Sequence, residues 1–168
     1  MPPKLQDLIQ RLNVDPFVTN LGRMFGIPHL LPDPWLQLRG DLYGAGLHQI
    51  GTGGFLGIHT DYTIHPTGLA RRLNLLLYLN LEWKEEWGGK LELWDVAKDR
   101  KSANNFLNVL PLVNTAVIFA TSDDSFHGHP DPITAPEGVT RNSLALYYYT
   151  ATPVTNPRNT HYIFGKRE

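Results

Sequence analysis

The amino-acid sequence predicts a mostly-β fold, a sandwich or jelly roll carrying one N-terminal helix. Three observations support this. Apolar residues at helical spacing are confined to the first dozen positions. Seven or eight short apolar or alternating runs follow, separated by turn-forming residues. Glycine occurs 15 times and proline 13 times in 168 residues, which suits a chain with many turns.

The elements follow in chain order. Leu5, Leu8, Ile9 and Leu12 recur at helical spacing, so residues 1–15 contain one amphipathic helix. Pro16, Pro28, Pro32 and Pro34 exclude a long helix through the next stretch. Residues 47–50 and 55–64 are strands on either side of Gly51-Thr52-Gly53-Gly54. The strongly apolar run 73–79 is a strand ending at Asn80, and 90–94 alternates with period two behind Gly88-Gly89. Residues 96–108 are polar and read as a loop, whereas 115–121 read as a buried strand. Pro132 and Pro136 make 131–138 a loop, and 143–150 return to aromatic β sequence. The tail, 152–168, reads as turns with a short strand at 162–164. No repeat or low-complexity segment interrupts the chain, so a single domain is expected, with its jelly-roll core over about 40–150.

Composition narrows the function. Hydrophobic residues make up 42% and charged residues 18%, which favours a packed core over disorder. A net charge of −1 gives no global case for nucleic acid or an anionic membrane. Arg71-Arg72, the lysines and arginine within 98–101, and Lys166-Arg167 read as solvated surface charge. Cysteine is absent, so a metal must rest on His, Asp or Glu. Lys4, Gln6, Asp7, Gln10 and Arg11 break up the N-terminal apolar residues, against a signal peptide. No stretch approaches the roughly 20 apolar residues of a transmembrane helix. A cytoplasmic protein with no membrane or nucleic-acid partner is expected, and its oligomeric state is left open.

Three separated pieces carry chemistry when read together: His59-Thr60-Asp61, His127, and Arg141-Asn142-Ser143. A histidine and a carboxylate two apart on a strand face the same side. A second histidine would complete a two-His-one-carboxylate set that leaves positions open on iron(II). The H-x-D triplet alone is weak, because seven histidines and ten aspartates give roughly 0.4 such triplets by chance. A second copy, His129-Pro130-Asp131, is present, but its prolines argue against a regular strand. His127 and His129 have the same parity, so spacing leaves both open as the distal ligand. Arg141 leads into an apolar run. If buried it needs either a protein carboxylate or a bidentate ligand carboxylate, to which Ser143 adds a hydroxyl.

The blocks Phe55-Leu56-Gly57-Ile58-His59-Thr60-Asp61, Tyr78-Leu79-Asn80, Trp87-Gly88-Gly89, Ser125-Phe126-His127 and Arg141-Asn142-Ser143-Leu144 occur in this order. In this series the sequence resembles the iron(II)/2-oxoglutarate-dependent oxygenases, in their prolyl 4-hydroxylase-like branch. The resemblance implies a double-stranded β-helix, a cupin-like jelly roll with the metal between its sheets. It implies His59, Asp61 and His127 as the iron ligands, and so selects His127 over His129. Arg141 and Tyr78 would hold the distal carboxylate of 2-oxoglutarate, with Ser143 assisting. The implied cofactors are Fe(II), 2-oxoglutarate and O2, with room for ascorbate. The implied reaction hydroxylates an unactivated C–H bond while 2-oxoglutarate becomes succinate and CO2. The leading substrate is a prolyl residue in a peptide or protein, and free proline or another small molecule is the variant.

Two departures stand out. Many relatives carry a tyrosine ten residues before the first metal histidine; here the position is Gln49, which can still donate a hydrogen bond to the co-substrate. The segment ahead of the first barrel strand is short, so supporting N-terminal helices are expected to be missing. Substrate choice is expected in loops 40–46 and 96–108. Trp94, Tyr62 and Trp87 read first as packing residues. Two other functions compete: a non-catalytic jelly-roll binding module, which needs neither triad nor Arg141, and a zinc hydrolase, which lacks a placed Glu base.

Overall fold

In the computed structural model, residues 2–98 and 102–164 are described. The basic clusters at 98–101 and 166–167 therefore lie wholly or mostly outside the described residues. Three short helices come first: α1 (Pro3–Arg11), α2 (Phe17–Met24) and α3 (Pro34–Arg39). Nine strands follow: β1 (Gly46–Ile50), β2 (Leu56–Thr60), β3 (Ala70–Tyr78), β4 (Leu91–Val96), β5 (Ala103–Val109), β6 (Ala116–Ala120), β7 (Phe126–His129), β8 (Arg141–Thr150) and β9 (His161–Phe164). They form two antiparallel sheets, a four-stranded one ordered β1-β8-β3-β6 and a five-stranded one ordered β5-β4-β7-β2-β9. This is a jelly roll.

The four-stranded sheet is covered on both faces. Along β8 the outward set Leu144, Leu146 and Tyr148 joins Leu73 and Leu75 of β3, and Ile9, Val18, Leu21 and Leu30 of the helical segment close over them. The inward set Ala145, Tyr147 and Tyr149 faces the other sheet with Tyr62 and Leu76. Burial on both sides explains why the strand reads as an unbroken apolar run. Tyr148 keeps its hydroxyl satisfied by donating to the Leu12 carbonyl at 2.8 Å, which ties α1 to the sheet. Asp33 caps α3 by accepting from the Trp35 amide, Pro34 occupies the first turn, and Gly40 ends the helix at φ 67°.

Several sequence expectations need correction. Supporting helices are present: α2 and α3 fit between the prolines, each too short to conflict with them. The loop expected at 96–108 contains β5, which pairs with β4 at the sheet edge. Its side chains are largely exposed, so it lacks the apolar alternation that marks a strand. The 115–121 run is β6, also an edge strand and only half-buried rather than fully buried. The strand expected over 55–64 spans only Leu56–Thr60, with a register shift against β9 between Ile58 and His59.

Leu146 is fully buried between sheet and helices, so Leu146→Ala is expected to cost about 2–5 kcal/mol in urea unfolding. Leu107→Ala, on the exposed edge strand, is expected to change stability by about 0.5 kcal/mol or less.

Candidate active site

β2 and β7 are neighbours in the five-stranded sheet, and their register sets His59 directly opposite His127. Residues 68 positions apart thereby share one face. The ring centroids lie 4.4 Å apart. Asp61 follows one residue beyond the end of β2, and its carboxylate turns back between them. His59 Nε2 is 3.7 Å from Asp61 Oδ1, and His127 Nε2 is 3.5 Å from Asp61 Oδ2. Among the described residues this is the one His/Asp/Glu group whose ligand atoms all fall within 4.8 Å of one another. All three residues are buried.

The donor chemistry fits a divalent metal. His59 Nδ1 faces the Gly57 carbonyl at 2.7 Å, and His127 Nδ1 faces the Ser125 carbonyl at 2.9 Å. A carbonyl only accepts, so each Nδ1 carries the proton and each Nε2 presents a lone pair. Burial pulls the His127 pKa down to about 4, a fall that its neighbour Asp61 only partly offsets, so the ring stays neutral at pH 7. Burial pushes the Asp61 carboxyl up, but the adjacent His59 and the nearby Arg71 and His127 outweigh it. The group is held well below the usual carboxylate range. Phe119 packs on the His127 ring at 4.6 Å and Tyr162 on the His59 ring at 5.1 Å. Two imidazoles, one carboxylate and no thiolate form the set suited to iron(II) with open positions.

Side chains that sequence reasoning did not single out for this role hold the carboxylate in place. Asn74 of β3 donates to Asp61 Oδ2 at 2.6 Å, and Arg71 lies 3.1 Å from the same oxygen. Arg71 also donates to Asn74 and is stacked between the rings of Tyr62 and Tyr147, at 4.4 and 3.4 Å. The signal for Asn74 was its place as a polar residue within the apolar β3, facing inward between Tyr147 and Phe119; Arg71 reaches the same carboxylate only through the register shift between Arg71 and Leu73. Arg158, in the tail, donates to the backbone carbonyls of Asp61 and Ser122 and to the Asp123 carboxylate. It thereby connects the Asp61 segment to the turn whose Ser125 carbonyl orients His127.

The second half of the site lies on the four-stranded sheet. Arg141 is 4% exposed, and among the described residues no carboxylate is within ion-pair distance. Its Nε donates to the Gly89 carbonyl at 2.7 Å, and Nη2 reaches the Tyr78 hydroxyl at 3.4 Å. An internal ion pair is thus ruled out among these residues, and the buried cation calls for an anionic ligand. The Trp-Gly-Gly block makes room for it: a Cβ on Gly89, at φ 68°, would meet Arg141 Cδ at 3.2 Å. Tyr78 pairs with Ser143 across β3 and β8, and both are buried on the Arg141 face. Asn80 bonds Asn142 and the Pro111 carbonyl, which fixes the start of β8.

Gln49 is a correction. Opposite Asn142 in the register, it faces away from Arg141, is exposed, and donates to Thr140 and Asn142. Period-two alternation gives the inward position to His48, opposite Ser143. Tyr62 and Trp87 serve as packing, the former beside Arg71 and the latter edge-on to Trp83. Trp94 donates to Glu92.

Two measurements test this arrangement. His127 and His129 have pKa values lowered mainly by burial, to about 4 and about 3, from an ordinary 6.5. Below pH 6.5 the unfolded chain takes up protons that the folded chain refuses, so stability falls as pH drops from 6.5 toward 4. Asp61 contributes only below its ordinary 3.8, where its stabilisation is lost on protonation. The urea midpoint of chelator-treated protein is expected to stay flat between pH 7.5 and 6.5 and then decline, with a shallower decline in His129→Leu. Arg158→Ala is expected to weaken Mn(II) binding by calorimetry about tenfold, as losing a partner of metal ligands does. Asp123→Asn, altering an 81% exposed carboxylate, is expected to change it less than about threefold.

Comparison with known proteins places this geometry. No curated protein matches the sequence. A structure of a prolyl 4-hydroxylase from Phytophthora capsici is 20% identical, with a TM-score of 0.55 over 89% of this chain and 46% of that one. A prolyl 4-hydroxylase from Pseudomonas putida is 20% identical, with a TM-score of 0.41 over 62% of this chain and 49% of that one. The chain therefore spans about half the length of these two proteins, and the first likeness bears on the fold. The sequence model of the 2OG-Fe(II) oxygenase superfamily matches residues 45–149, a span that contains both sheets except β9 and all three members of the His59–Asp61–His127 cluster. The chain belongs to the 2OG-Fe(II) oxygenase superfamily, whose cofactors are Fe(II), 2-oxoglutarate and O2.

Proposed function

We propose that the protein is an iron(II)/2-oxoglutarate-dependent dioxygenase that hydroxylates an unactivated C–H bond, with a prolyl residue in a peptide or protein as its leading substrate. The observation that carries the class is the pairing, within one inter-sheet cleft, of the His59–Asp61–His127 cluster with a buried Arg141 that has no carboxylate partner among the described residues. A non-catalytic binding module requires neither half, and a zinc hydrolase leaves Arg141 without a task.

In this reading His59 Nε2, His127 Nε2 and Asp61 hold the iron, and Asn74 and Arg71 keep the carboxylate turned toward it. Arg141 and Tyr78 hold the distal carboxylate of 2-oxoglutarate, with Ser143 beside them. Bound iron supplies the activation of O2, coupled to decarboxylation of 2-oxoglutarate to succinate and CO2. The aromatic rings of Phe119 and Tyr162 help to exclude water from the histidines.

Support for a prolyl substrate comes from the Tyr78-Leu79-Asn80 and Trp87-Gly88-Gly89 blocks, and from the likeness to the Phytophthora capsici prolyl 4-hydroxylase. Free proline or another small molecule is the variant within the same class. Loop 40–46 is where substrate contacts are expected.

The test is succinate release from purified protein given Fe(II), 2-oxoglutarate and O2, with and without proline-containing peptides. Wild type is expected to release succinate and His59→Ala to remain at background. Arg141→Ala is expected to raise KM for 2-oxoglutarate at least about tenfold, through loss of the charge-assisted pair. Succinate at the His59→Ala background under every substrate would overturn the oxygenase reading. Succinate formed with a small molecule and not with peptides would overturn the prolyl-peptide assignment alone.

A further inference from the structure

β9 lies wholly beyond residues 45–149, the span matched to the superfamily. It pairs with β2, on the side away from β7, and ends the five-stranded sheet. Its register sets Tyr162 opposite His59. Directly opposed residues of antiparallel strands share a face, and the Tyr162 ring packs on the His59 ring at 5.1 Å. Tyr162 is 53% exposed whereas His59 is 5% exposed, so the tyrosine spans from solvent to a metal histidine. Any chain paired with β2 in this register brings a side chain to the rim of the metal cluster.

The hold of β9 on that edge is slight. It has four residues, and its pairing with β2 is interrupted by a register shift between Ile58 and His59. His161 and Tyr162 are exposed, so side-chain burial adds little. The attachment is chiefly main-chain hydrogen bonding, which any extended segment can reproduce. The fixed point of the tail is Arg158. Its amide donates to the Thr63 hydroxyl, its carbonyl accepts from the Thr63 amide, and its guanidinium donates to the Asp61 and Ser122 carbonyls. Asn159 and Thr160 then lie outside any helix or strand. β9 is thus a short arm beyond a firm anchor.

We propose that the β2 edge beside His59 is a seat for an extended peptide segment, filled in the resting protein by β9 and given up to a peptide substrate. The proposal rests on the function proposed above, whose peptide substrate it provides with a docking surface. An incoming strand remakes the main-chain bonds that β9 releases, so the exchange needs only better side-chain contacts. Its residue opposite His59 takes the place of Tyr162 at the metal cluster.

The test locks or disables the arm in the full chain. The sequence has no cysteine, so Thr60→Cys/His161→Cys, at opposed positions of β2 and β9, introduces one reversible disulfide. In His161→Pro/Tyr162→Pro the arm cannot pair, because one of two successive N–H groups must face β2. The probe is a fluorescein-labelled peptide copying residues 159–164, read by anisotropy. In wild type the tethered arm competes with it, so the proline variant, its fold checked by a cooperative urea transition, is expected to bind the probe at least about tenfold more tightly. The oxidised lock is expected to exclude the probe and the reduced form to bind it as wild type does, a comparison that stands alone should the proline variant not fold. In the succinate assay, oxidation of the lock is expected to abolish stimulation by proline-containing peptides and to spare turnover of 2-oxoglutarate alone, with reduction restoring the stimulation. Equal probe affinity in the proline variant and wild type, or in the oxidised and reduced lock, overturns the proposal, and so does peptide stimulation that survives the lock. A proline variant that sediments as a dimer overturns it in favour of a second copy of the chain. Absence of peptide stimulation in wild type overturns the prolyl-peptide reading, and the docking assignment falls with it.

Discussion

The site is organised around one buried carboxylate. Asp61 sits between two imidazoles, just beyond the end of its strand, where an unpaired charge would be expensive. Arg71 and Asn74 make the position tenable, and Arg71 is itself held between two tyrosine rings. Each of these supports comes from the four-stranded sheet or the loop leading to it, whereas the histidines come from the five-stranded sheet. The carboxylate therefore has polar partners from both layers of the sandwich. The two sheets must pack in one register for the charge to be satisfied at all.

That requirement explains why β3 and β8 are built as they are. Their outward residues are aliphatic or aromatic and meet the helices, while their inward residues alternate packing groups with single polar ones. Asn74, Tyr78, Arg141 and Ser143 are those single polar residues, each at an inward position. The helices lend rigidity from behind without entering the site. The aromatic pairs Tyr43–Tyr62 and Tyr62–Tyr147 fill the space around Arg71 with edge-on contacts.

Legibility in the sequence followed burial. β3 and β8, covered on both faces, were readable as apolar runs, and His59 and Arg141 stood out within or beside such runs. The exposed edge strand β5 was not readable, since Asn104, Asn105 and Asn108 need not alternate with apolar residues when little is buried. β6 misled in the opposite direction: Val117, Ile118 and Phe119 read as core, but an edge position leaves them only half-covered. Asn74 was marked only by its polarity within the apolar β3, and Arg71 and Arg158 were invisible because their roles depend on a register shift and on contacts from the tail. Gln49 failed on parity, which one residue of register decides.

The order of the strands has a consequence for biogenesis. β2, which carries His59, has its two sheet neighbours in β7 and β9, both far later in the chain. Its hydrogen-bonding partners on either side emerge from the ribosome only after β3 to β6 have been made, and the β9 side only after β8 as well. The helical segment and β1 wait likewise for β8. Contacts of such long sequence separation form slowly, because the loops between them must close first. The metal ligands are consequently among the last parts of the molecule to find one another. Until then β2 presents two unpaired edges, which makes the nascent chain, rather than the finished fold, the state most in need of protection from aggregation.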